Sequence, residues 1–518
     1  MVLKVGIMGN GKGWELLLQQ EGIPYERIVD FPLSRETFSV IVVGDQITPS
    51  SLEAVRRYLT GGGAILCSGR VYALLCNERS TETFVRYLCE EPHSHFQGVG
   101  LVNLQKVCHL PWNGSDLRTD AGAFSAFIGT YGEGAIIALP FDAAEFIVDR
   151  RTAMKSFYAH SKRLPFEKVS LVPKRGIRRL VRRSLEILHH RRGLPYVHKW
   201  FYPDDQRTIF VFRIDTDCAT REETAELYKL SRTYNIPCTW FVDVKSQEHH
   251  LSVYREMEGQ EIGIHCFDHH LANDAKSYNQ DIRTAIEIFH SRNLKAMGYA
   301  APYGFWSESL ANVIETFGFD YSSEFSYDYD NVPSYPIVNN EFLQTLQIPV
   351  HPISIGSLRR QSFTEQEMVT YFHEHLHAAI SAREPLIIYH HPKNNYLRVV
   401  ESIFKYIQEH HIRSMRMIDF ALWWKQRNGS QLHVEAENAS LHINADTPCD
   451  NIALRITRGD GTEAFTSICS TIHLENLIWQ PIPKPLPVPD DVVRVTKFNP
   501  WILVNHFEDF IFKLLRSR

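Results

Sequence analysis

The stretch Thr208-Ile-Phe-Val-Phe-Arg-Ile-Asp-Thr-Asp217 decides the fold of the middle of this chain. It is a largely apolar run that ends in two carboxylates, which is typical of a buried strand with polar residues at its carboxyl end. A helical segment at 222–232 and a second apolar run at 239–244 follow it. Strands that alternate with helices predict an α/β fold with parallel strands.

The same pattern recurs further along the chain. Three later apolar runs lead into polar motifs, which are His265-Cys-Phe-Asp-His269, Pro302-Tyr303-Gly304-Phe-Trp306 and His390-His391-Pro392. A barrel of parallel strands places its active site just beyond the carboxyl ends of its strands. We therefore predict that residues 201–428 form the catalytic domain, with these polar motifs together at one end of a barrel of parallel strands.

The polar residues have the chemistry of a hydrolytic metal site. One carboxylate and two imidazoles can hold a divalent ion and leave a position open for water, whose pKa the ion lowers. Asp217 can supply the carboxylate, and His265 and His269 can meet one ion if their segment forms a helical turn. Asp215 lies on the same face of the extended strand end and can accept the proton of the water.

Each part of this pattern is common when taken singly. A His-x-x-x-His pair is more often an ordinary surface pair, and an Asp-x-Asp is often a turn or a helix cap. The order of the parts is what raises their weight, because each one follows a predicted strand.

Four motifs resemble those of the polysaccharide-deacetylase, or NodB-homology, superfamily of carbohydrate esterases. They are Phe212-Arg-Ile-Asp-Thr-Asp217, His265 to His269, Ala301-Pro-Tyr-Gly304 and Ile387-Ile-Tyr-His390. Within the superfamily, the motif style is nearest to the deformylases that act on undecaprenyl-linked formamido-arabinose.

The resemblance implies a distorted (β/α) barrel as the catalytic domain. It also implies a hydrolase that removes an acetyl or formyl group from an amino sugar in a glycan or a lipid-linked saccharide. It implies a divalent metal, zinc first, held by Asp217, His265 and His269. It makes Asp215 the base and His390 the general acid. It assigns substrate and oxyanion contacts to Pro302, Tyr303, Gly304 and Trp306, with the oxyanion at the Tyr303 N–H.

Two positions depart from the pattern of the superfamily. Typical members carry an arginine that pairs with the base where this chain has Ala300. They carry an aspartate that positions this arginine where the chain has Ser322-Ser-Glu324. The joint loss of both residues is typical of a subfamily.

Residues 1–150 alternate strands with helices, which predicts a doubly wound accessory domain of flavodoxin-like or glutamine-amidotransferase-like fold. Its pattern Gly9-x-Gly11-x-Gly13 lies where a phosphate-binding turn could lie, but it departs from the dinucleotide fingerprint. A simple tight turn is therefore favoured over a nucleotide site.

The remaining segments give two more predictions. Residues 151–200 read as a basic helical linker, whose arginine-rich part, 174–183, either packs on a neighbouring domain or touches an anionic membrane surface. Packing is favoured. Residues 429–518 read as a small β-sandwich followed by a proline-rich segment, 481–489, and a terminal helix, 501–515.

Bulk properties limit the partners and alternatives. A formal net charge of -5 argues against nucleic acid as a partner. Without a secretory signal or a spanning apolar run, a cytoplasmic protein is expected, with contact at the inner face of the membrane as the alternative. Two other functions stay open: a catalytically silent carbohydrate-binding or scaffold protein, and an amidase on a non-sugar substrate.

Overall fold

The computed structural model of the protein describes residues 1–486 apart from positions 10, 30, 160–163 and 273, together with 488, 492, 493 and 507. The chain forms two compact units. The flanking unit contains Met1–Asp149, Val172–Gln206 and Lys425–Pro489, and the barrel unit contains Arg150–Leu171 and Arg207–Trp424. The predicted terminal helix, 501–515, lies outside the described residues except for position 507.

The first part of the flanking unit is a mixed sheet with helices. Its strands are β1 (Val5–Met8), β2 (Tyr25–Arg27), β3 (Val40–Val43), β4 (Ala64–Ser68), β5 (Ser80–Glu90), β6 (Leu101–Pro111), β7 (Ser115–Thr119), β8 (Phe124–Tyr131) and β9 (Gly134–Leu139). The sheet order is β2-β1-β3-β4-β9-β8-β7-β5-β6. The strands from β2 to β9 in that order are parallel, as predicted, whereas the extension from β8 to β6 is antiparallel and was not predicted.

The helices of this part are α1 (Lys12–Glu21), α2 (Pro49–Thr60), α3 (Gly69–Cys76) and α4 (Ala143–Ile147). Side chains of α2 and α3 pack against alternate residues of β3, β4 and β9 in one apolar cluster. The glycine-rich turn after β1 is explained by packing, because a Cβ on Gly13 would lie 2.1 Å from the carbonyl oxygen of Ala144. Gly9, with a φ of +117°, supplies the turn itself.

The predicted linker does not form a separate segment. Strands β10 (Thr152–Ser156) and β11 (Phe166–Ser170) pair within the barrel unit, whereas α5 (Lys174–Arg191) and β12 (Tyr196–Pro203) belong to the flanking unit. Helix α5 packs against α1, α4, β4 and β9.

Part of the basic face of α5 is buried. Lys174, Arg178 and Arg179 are buried, and the guanidinium of Arg178 lies 3.0 Å from the buried carboxylate of Glu21. The helix is therefore packed, as the sequence favoured. The structure gives no support to the other possibility, a membrane contact through 174–183.

The barrel unit confirms the predicted distorted barrel. Its parallel strands are β13 (Ile209–Asp215), β14 (Cys238–Asp243), β15 (Glu261–Cys266), β16 (Gly298–Tyr299), β17 (Tyr321–Ser322), β20 (Leu346–Gln347), β21 (Leu386–His390) and β22 (Arg413–Ser414), and a small hairpin joins β18 (Ile337–Val338) to β19 (Glu341–Phe342). The order is β20-β17-β16-β15-β14-β13-β21, with β22 beside β13. A parallel bridge between His351 and Ile388 links the segment after β20 to β21, so the sheet curls on itself.

The barrel helices are α6 (Arg221–Thr233), α7 (Val244–Gln247), α8 (Leu251–Arg255), α9 (Ala275–Ser291), α10 (Glu308–Thr316), α11 (Ile355–Arg360), α12 (Glu365–Ala382), α13 (Leu397–Glu409) and α14 (Met417–Gly429). Helix α6 starts directly after the quoted strand, because Thr220 and Glu223 form a reciprocal capping box. Among the described helices, none is long and apolar enough to cross a membrane.

Alternation along β13 separates the core from the site. Phe210, Phe212 and Ile214 join an apolar cluster that includes residues of α12 and α13. Because successive side chains of a strand point to opposite faces, Arg213 and Asp215 point into the barrel. The barrel interior is therefore polar at the carboxyl end of this strand.

The C-terminal part of the flanking unit consists of two small sheets. One contains β23 (Leu432–Glu437), β24 (Ser440–Ala445) and β27 (Thr471–His473), and the other contains β12, β25 (Ile452–Thr457), β26 (Thr462–Ser467) and β28 (Gln480–Pro481). Apolar residues of both sheets share one cluster, as expected for a sandwich. The strand from residues 196–203, however, comes from outside the predicted C-terminal domain.

Candidate metal centre

Asp217, His265 and His269 converge at the carboxyl end of the barrel strands. Their ligand atoms all lie within 4.8 Å of one another. The Oδ1 atom of Asp217 is 3.2 Å from Nε2 of His265 and 3.3 Å from Nε2 of His269. The three residues chosen from the sequence as metal ligands are therefore adjacent in the fold.

The three side chains reach this point from different backbone settings. Asp217 follows β13 in a turn with a φ of 25°, a value that residues other than glycine seldom adopt. His265 lies in β15 and points into the barrel, and His269 lies in the bends after that strand. The predicted helical turn between the two histidines is wrong, since an irregular segment performs the same task.

The donor atoms fit a divalent cation. The Nδ1 atom of His265 lies 2.6 Å from the carbonyl oxygen of Ala300 and donates to it, because a carbonyl can only accept. In the neutral ring, the Nε2 atom then carries a lone pair, which faces Asp217. The Oδ1 atom of Asp217 is buried and has no hydrogen-bond partner. A carboxylate oxygen and an imidazole nitrogen that face each other in this way can both be ligands of a divalent cation.

The electrostatics of the cluster favour positive charge. Burial alone would lower the pKa of His265, but the charges of Asp215 and Asp217 raise it above its ordinary value. Burial would likewise raise the pKa of Asp217, but His391 and the contacts with His265 and His269 hold it well below its usual range. A divalent cation would supply the charge that this environment stabilises.

Asp215 forms a two-point ion pair with Arg213. The guanidinium Nε is 2.7 Å from Oδ1, and Nη2 is 2.8 Å from Oδ2. Both side chains are buried. Burial would raise the pKa of the Asp215 carboxyl, but the Arg213 guanidinium holds it below its ordinary value. The carboxylate is thus kept charged and fixed in orientation.

Arg213 is itself fixed on several sides. Its guanidinium carbon lies 5.1 Å from the ring centre of Phe241 and 5.5 Å from that of Tyr389. Its Nη1 atom donates to the carbonyl oxygen of Ser323 at 2.6 Å. The chain has Ala300 at the position where an arginine was expected to pair with the base. Arg213, two residues before Asp215 on β13, supplies the cation to Asp215 instead.

His391, rather than His390, faces the cluster. The Nε2 atom of His391 is 3.4 Å from Oδ2 of Asp217. His390 is 1% exposed, neither ring nitrogen has a hydrogen-bond partner, and its ring lies 6.4 Å from that of Phe212 in the apolar core. Burial lowers the pKa of His390 to about 3. This geometry argues against the predicted role of His390 as the acid.

Lys393 is a further neighbour that the sequence reading missed. Its Nζ atom lies 3.4 Å from Oδ2 of Asp217. It stands in the short 3-10 helix Pro392–Asn394 that follows β21. The signal that could have found it is its position directly after a strand whose end was already assigned to the site.

The predicted substrate and oxyanion residues form one turn beside the cluster. Pro302–Gly304 is a 3-10 helix in which Tyr303 has a φ of 59°. The Tyr303 side chain is 62% exposed, and its ring lies 4.9 Å from that of His269. Trp306 is nearly buried and packs against Tyr327. The turn therefore presents Tyr303 at the mouth of the site and uses Trp306 for packing.

Comparisons with known proteins give one family match. Residues 209–322 match the sequence model of the family described as polysaccharide deacetylase, so this part of the chain is of that family. No curated protein matches the chain.

Three solved structures are similar to the chain. A Mycobacterium smegmatis protein assigned as a polysaccharide deacetylase is 16% identical, with a TM-score of 0.38, covering 44% of this chain and 94% of its own. A probable polysaccharide deacetylase from Pseudomonas aeruginosa PAO1 is 18% identical, with a TM-score of 0.36, covering 43% and 92%. A family 4 carbohydrate esterase from Streptomyces lividans is 13% identical, with a TM-score of 0.29, covering 40% and 91%.

Proposed function

We propose that this chain, with a polysaccharide deacetylase family segment at 209–322, is a metal-dependent hydrolase that removes an N-acyl group from an amino sugar. The acyl group is acetyl or formyl, and the sugar belongs to a glycan or a lipid-linked saccharide. The observation that carries the proposal is the convergence of Asp217, His265 and His269 next to the ion-paired Asp215. A carboxylate with two imidazoles leaves positions open for water and substrate.

We assign the metal to Asp217, His265 and His269, with zinc as the first candidate. When bound, a divalent ion lowers the pKa of a water and polarises the acyl carbonyl. Asp215 accepts the proton of the attacking water, because its carboxylate is charged, buried and aimed by Arg213. The Tyr303 N–H holds the developing oxyanion, a task that is worth about 3 kcal/mol for one donor.

We assign the general acid to His391, in place of His390. The acid must protonate the leaving amine, so it has to lie beside the metal ligands. The contact of His391 with Asp217 meets this requirement, whereas His390 lies in the apolar core. Burial lowers the pKa of His391 below its ordinary value, although the charges of Asp217 and Asp215 oppose this effect, so the assignment rests on the position of the ring and not on its pKa.

The two alternatives are weaker on this geometry. The absence of an arginine at Ala300 would permit a catalytically silent protein, because the base would lack its cation. Arg213, however, supplies a cation to Asp215. An amidase on a non-sugar substrate needs the same site, so only a substrate screen separates it from the main proposal.

The experiment is metal analysis together with a hydrolysis screen. We expect about one divalent ion per chain and release of acetate or formate from N-acetyl or N-formyl amino sugars. Asp217→Ala should lose the ion and the activity. Asp215→Asn should keep the ion, since the ligand set is unchanged, and lose about 10²- to 10⁴-fold in turnover.

The outcomes separate the candidates. Metal binding without hydrolysis of any amide would leave a carbohydrate-binding protein. Hydrolysis of non-sugar amides alone would select the other amidase. If Asp215→Asn lost its metal and Asp217→Asn kept it, the two aspartates would have to exchange roles.

A further inference from the structure

Residues 323–326, here called the backing loop, lie behind the turn that carries Tyr303. The Oε1 atom of Glu324 accepts the N–H of Ala301 at 3.1 Å. The N–H of Ser326 donates to the carbonyl of Gly304 at 3.0 Å, and the Oγ of Ser326 accepts the N–H of Trp306 at 2.7 Å. Three hydrogen bonds thus hold the turn at both of its ends.

The same loop also holds the cation that aims the base. The Nη1 atom of Arg213 donates to the carbonyl oxygen of Ser323, while its Nε and Nη2 atoms donate to Asp215. The N–H of Ser323 donates to Tyr299, and its Oγ donates to Ile348. Ser323 is therefore anchored to the strands on both sides of the loop.

Packing leaves the turn little freedom to move independently. A Cβ on Gly304 would lie 2.3 Å from the ring of Phe325, so the two backbones are already in close contact. Tyr303 keeps a φ of 59°, a conformation that persists in a residue other than glycine only where the surroundings enforce it. The backing loop is the structure that enforces it.

A glutamate at position 324 costs free energy, because its carboxyl group is buried. It is 0% exposed, and its Oε2 atom has no hydrogen-bond partner. Burial raises the pKa of its carboxyl to about 7. The free-energy cost of burying this acid has to be offset by what its other oxygen holds, which is the N–H of Ala301.

We propose that Glu324 is a positioning residue, which fixes the Tyr303 turn relative to Asp215 through its hydrogen bond to the Ala301 N–H. The inference rests on the proposed amide hydrolysis. One loop then sets the distance between the group that accepts the proton and the group that holds the oxyanion. Misplacement of such groups by about 1 Å can cost about 10²-fold in rate.

The test uses the full chain loaded with zinc and the N-acyl amino sugar that it hydrolyses fastest. Glu324→Ala should lower kcat about 10- to 100-fold while KM and zinc content stay within about twofold. Glu324→Gln should keep kcat within about threefold, because its amide oxygen can accept the same N–H.

Glu261→Ala is the matched control. Glu261 is also a buried glutamate of the barrel, but it stands at the first residue of β15 and binds Tyr321 and Thr239. Its loss should lower stability without changing kcat per folded, zinc-loaded molecule. If Glu324→Ala lowers kcat no more than Glu261→Ala does, the positioning role is refuted.

Ser326→Ala keeps the test decisive if Glu324→Ala does not fold. It removes only the acceptor of the Trp306 N–H and should lower kcat about 3- to 10-fold at unchanged KM. An unchanged kcat would overturn the proposal. If the wild-type, zinc-loaded chain hydrolyses no substrate, the proposed function fails first, and that result is distinct from an active wild type with an equally active Glu324→Ala.

Discussion

At the scale of single residues, one strand position decides which histidine can act. Leu386 and Ile388 of β21 belong to the outer apolar cluster, so His390 follows them by alternation toward the core. His391 is one residue further and faces Asp217. Two adjacent imidazoles thus have opposite environments.

This difference predicts opposite effects of two substitutions. His391→Ala should lower kcat about 10²- to 10⁴-fold with little effect on folding, because it removes a proton donor. His390→Ala should mainly lower the free energy of unfolding, since it removes a buried ring. The measurement is kcat per bound metal beside a urea titration for each variant. Equal losses of kcat, or the greater loss in His390→Ala, would return the acid role to His390.

At the scale of elements, the turn between β1 and α1 contains Gly11 and Gly13, and the two glycines differ in how closely their surroundings pack against them. A Cβ on Gly13 would meet the backbone of α4 at 2.1 Å, whereas a Cβ on Gly11 would lie at an ordinary 3.5 Å from Ala144. Close packing of helix against helix therefore accounts for Gly13 without any ligand.

Alanine substitutions at these positions should differ. Gly13→Ala should destabilise the flanking unit by about 1 to 3 kcal/mol, as overpacking does. Gly11→Ala, the matched control, changes only the N-cap of α1 and should cost less, about 0.5 to 1 kcal/mol. Hydrogen exchange of peptides from α1 and α4 measures both. Equal protection in the two variants would contradict the packing explanation.

Helix α5 contains a buried histidine that makes the stability of the flanking unit depend on pH. His189 is 2% exposed, its Nδ1 lies 2.8 Å from the carbonyl of Leu185, and burial lowers its pKa to about 4. In the unfolded chain the same imidazole takes up a proton as the pH falls below about 6.5. Between these values the unfolded state binds more protons, so stability must fall as the pH falls.

The flanking unit should therefore lose about 3 kcal/mol from His189 between pH 6.5 and 4. His189→Gln cannot titrate in this range, and its stability should depend less on pH. Hydrogen exchange of α5 peptides at pH 7 and pH 5 compares the two proteins, with rates corrected for intrinsic pH dependence. The same pH dependence in both would exclude His189 as the cause.

At the scale of the whole molecule, the flanking unit is assembled from three separate stretches of chain. Arg455 of β25 joins two buried carboxylates, with Nη1 2.8 Å from Glu186 of α5 and Nε 2.7 Å from Glu463 of β26. Its charge helps to hold the pKa of Glu186 far below the ordinary value despite burial. A buried ionic network thus connects distant stretches of the chain within this unit.

Removing the central cation should be costly. Arg455→Met should destabilise the flanking unit by about 3 to 5 kcal/mol, because Glu463 loses its ion pair with Arg455 and Glu186 keeps its pair with the partly exposed Arg183 but loses the buried one. Adding Glu186→Gln and Glu463→Gln to this variant should recover part of the loss. Urea unfolding read by hydrogen exchange in β25 is the measurement. A triple variant less stable than Arg455→Met would show that packing, not charge, sets the cost.

The sequence by itself determined the barrel and the position of its chemistry. Apolar runs that lead into Asp217, His265 and His391 place polar residues at one edge of a parallel sheet, whatever the details of packing. Local capping also fixed where helices begin, as at Thr220. These features depend on residues that are near one another in the chain.

Only the tertiary structure decided the rest. A strand that is buried on both faces shows no alternation of hydrophobicity, so the sequence could not say whether His390 or His391 points inward. The partner of Asp215 and the role of Glu324 depend on contacts across the barrel. The bounds of the flanking unit were beyond reach for the same reason: β12 pairs with β25, more than two hundred residues later in the chain. Long-range pairing of this kind leaves no local pattern.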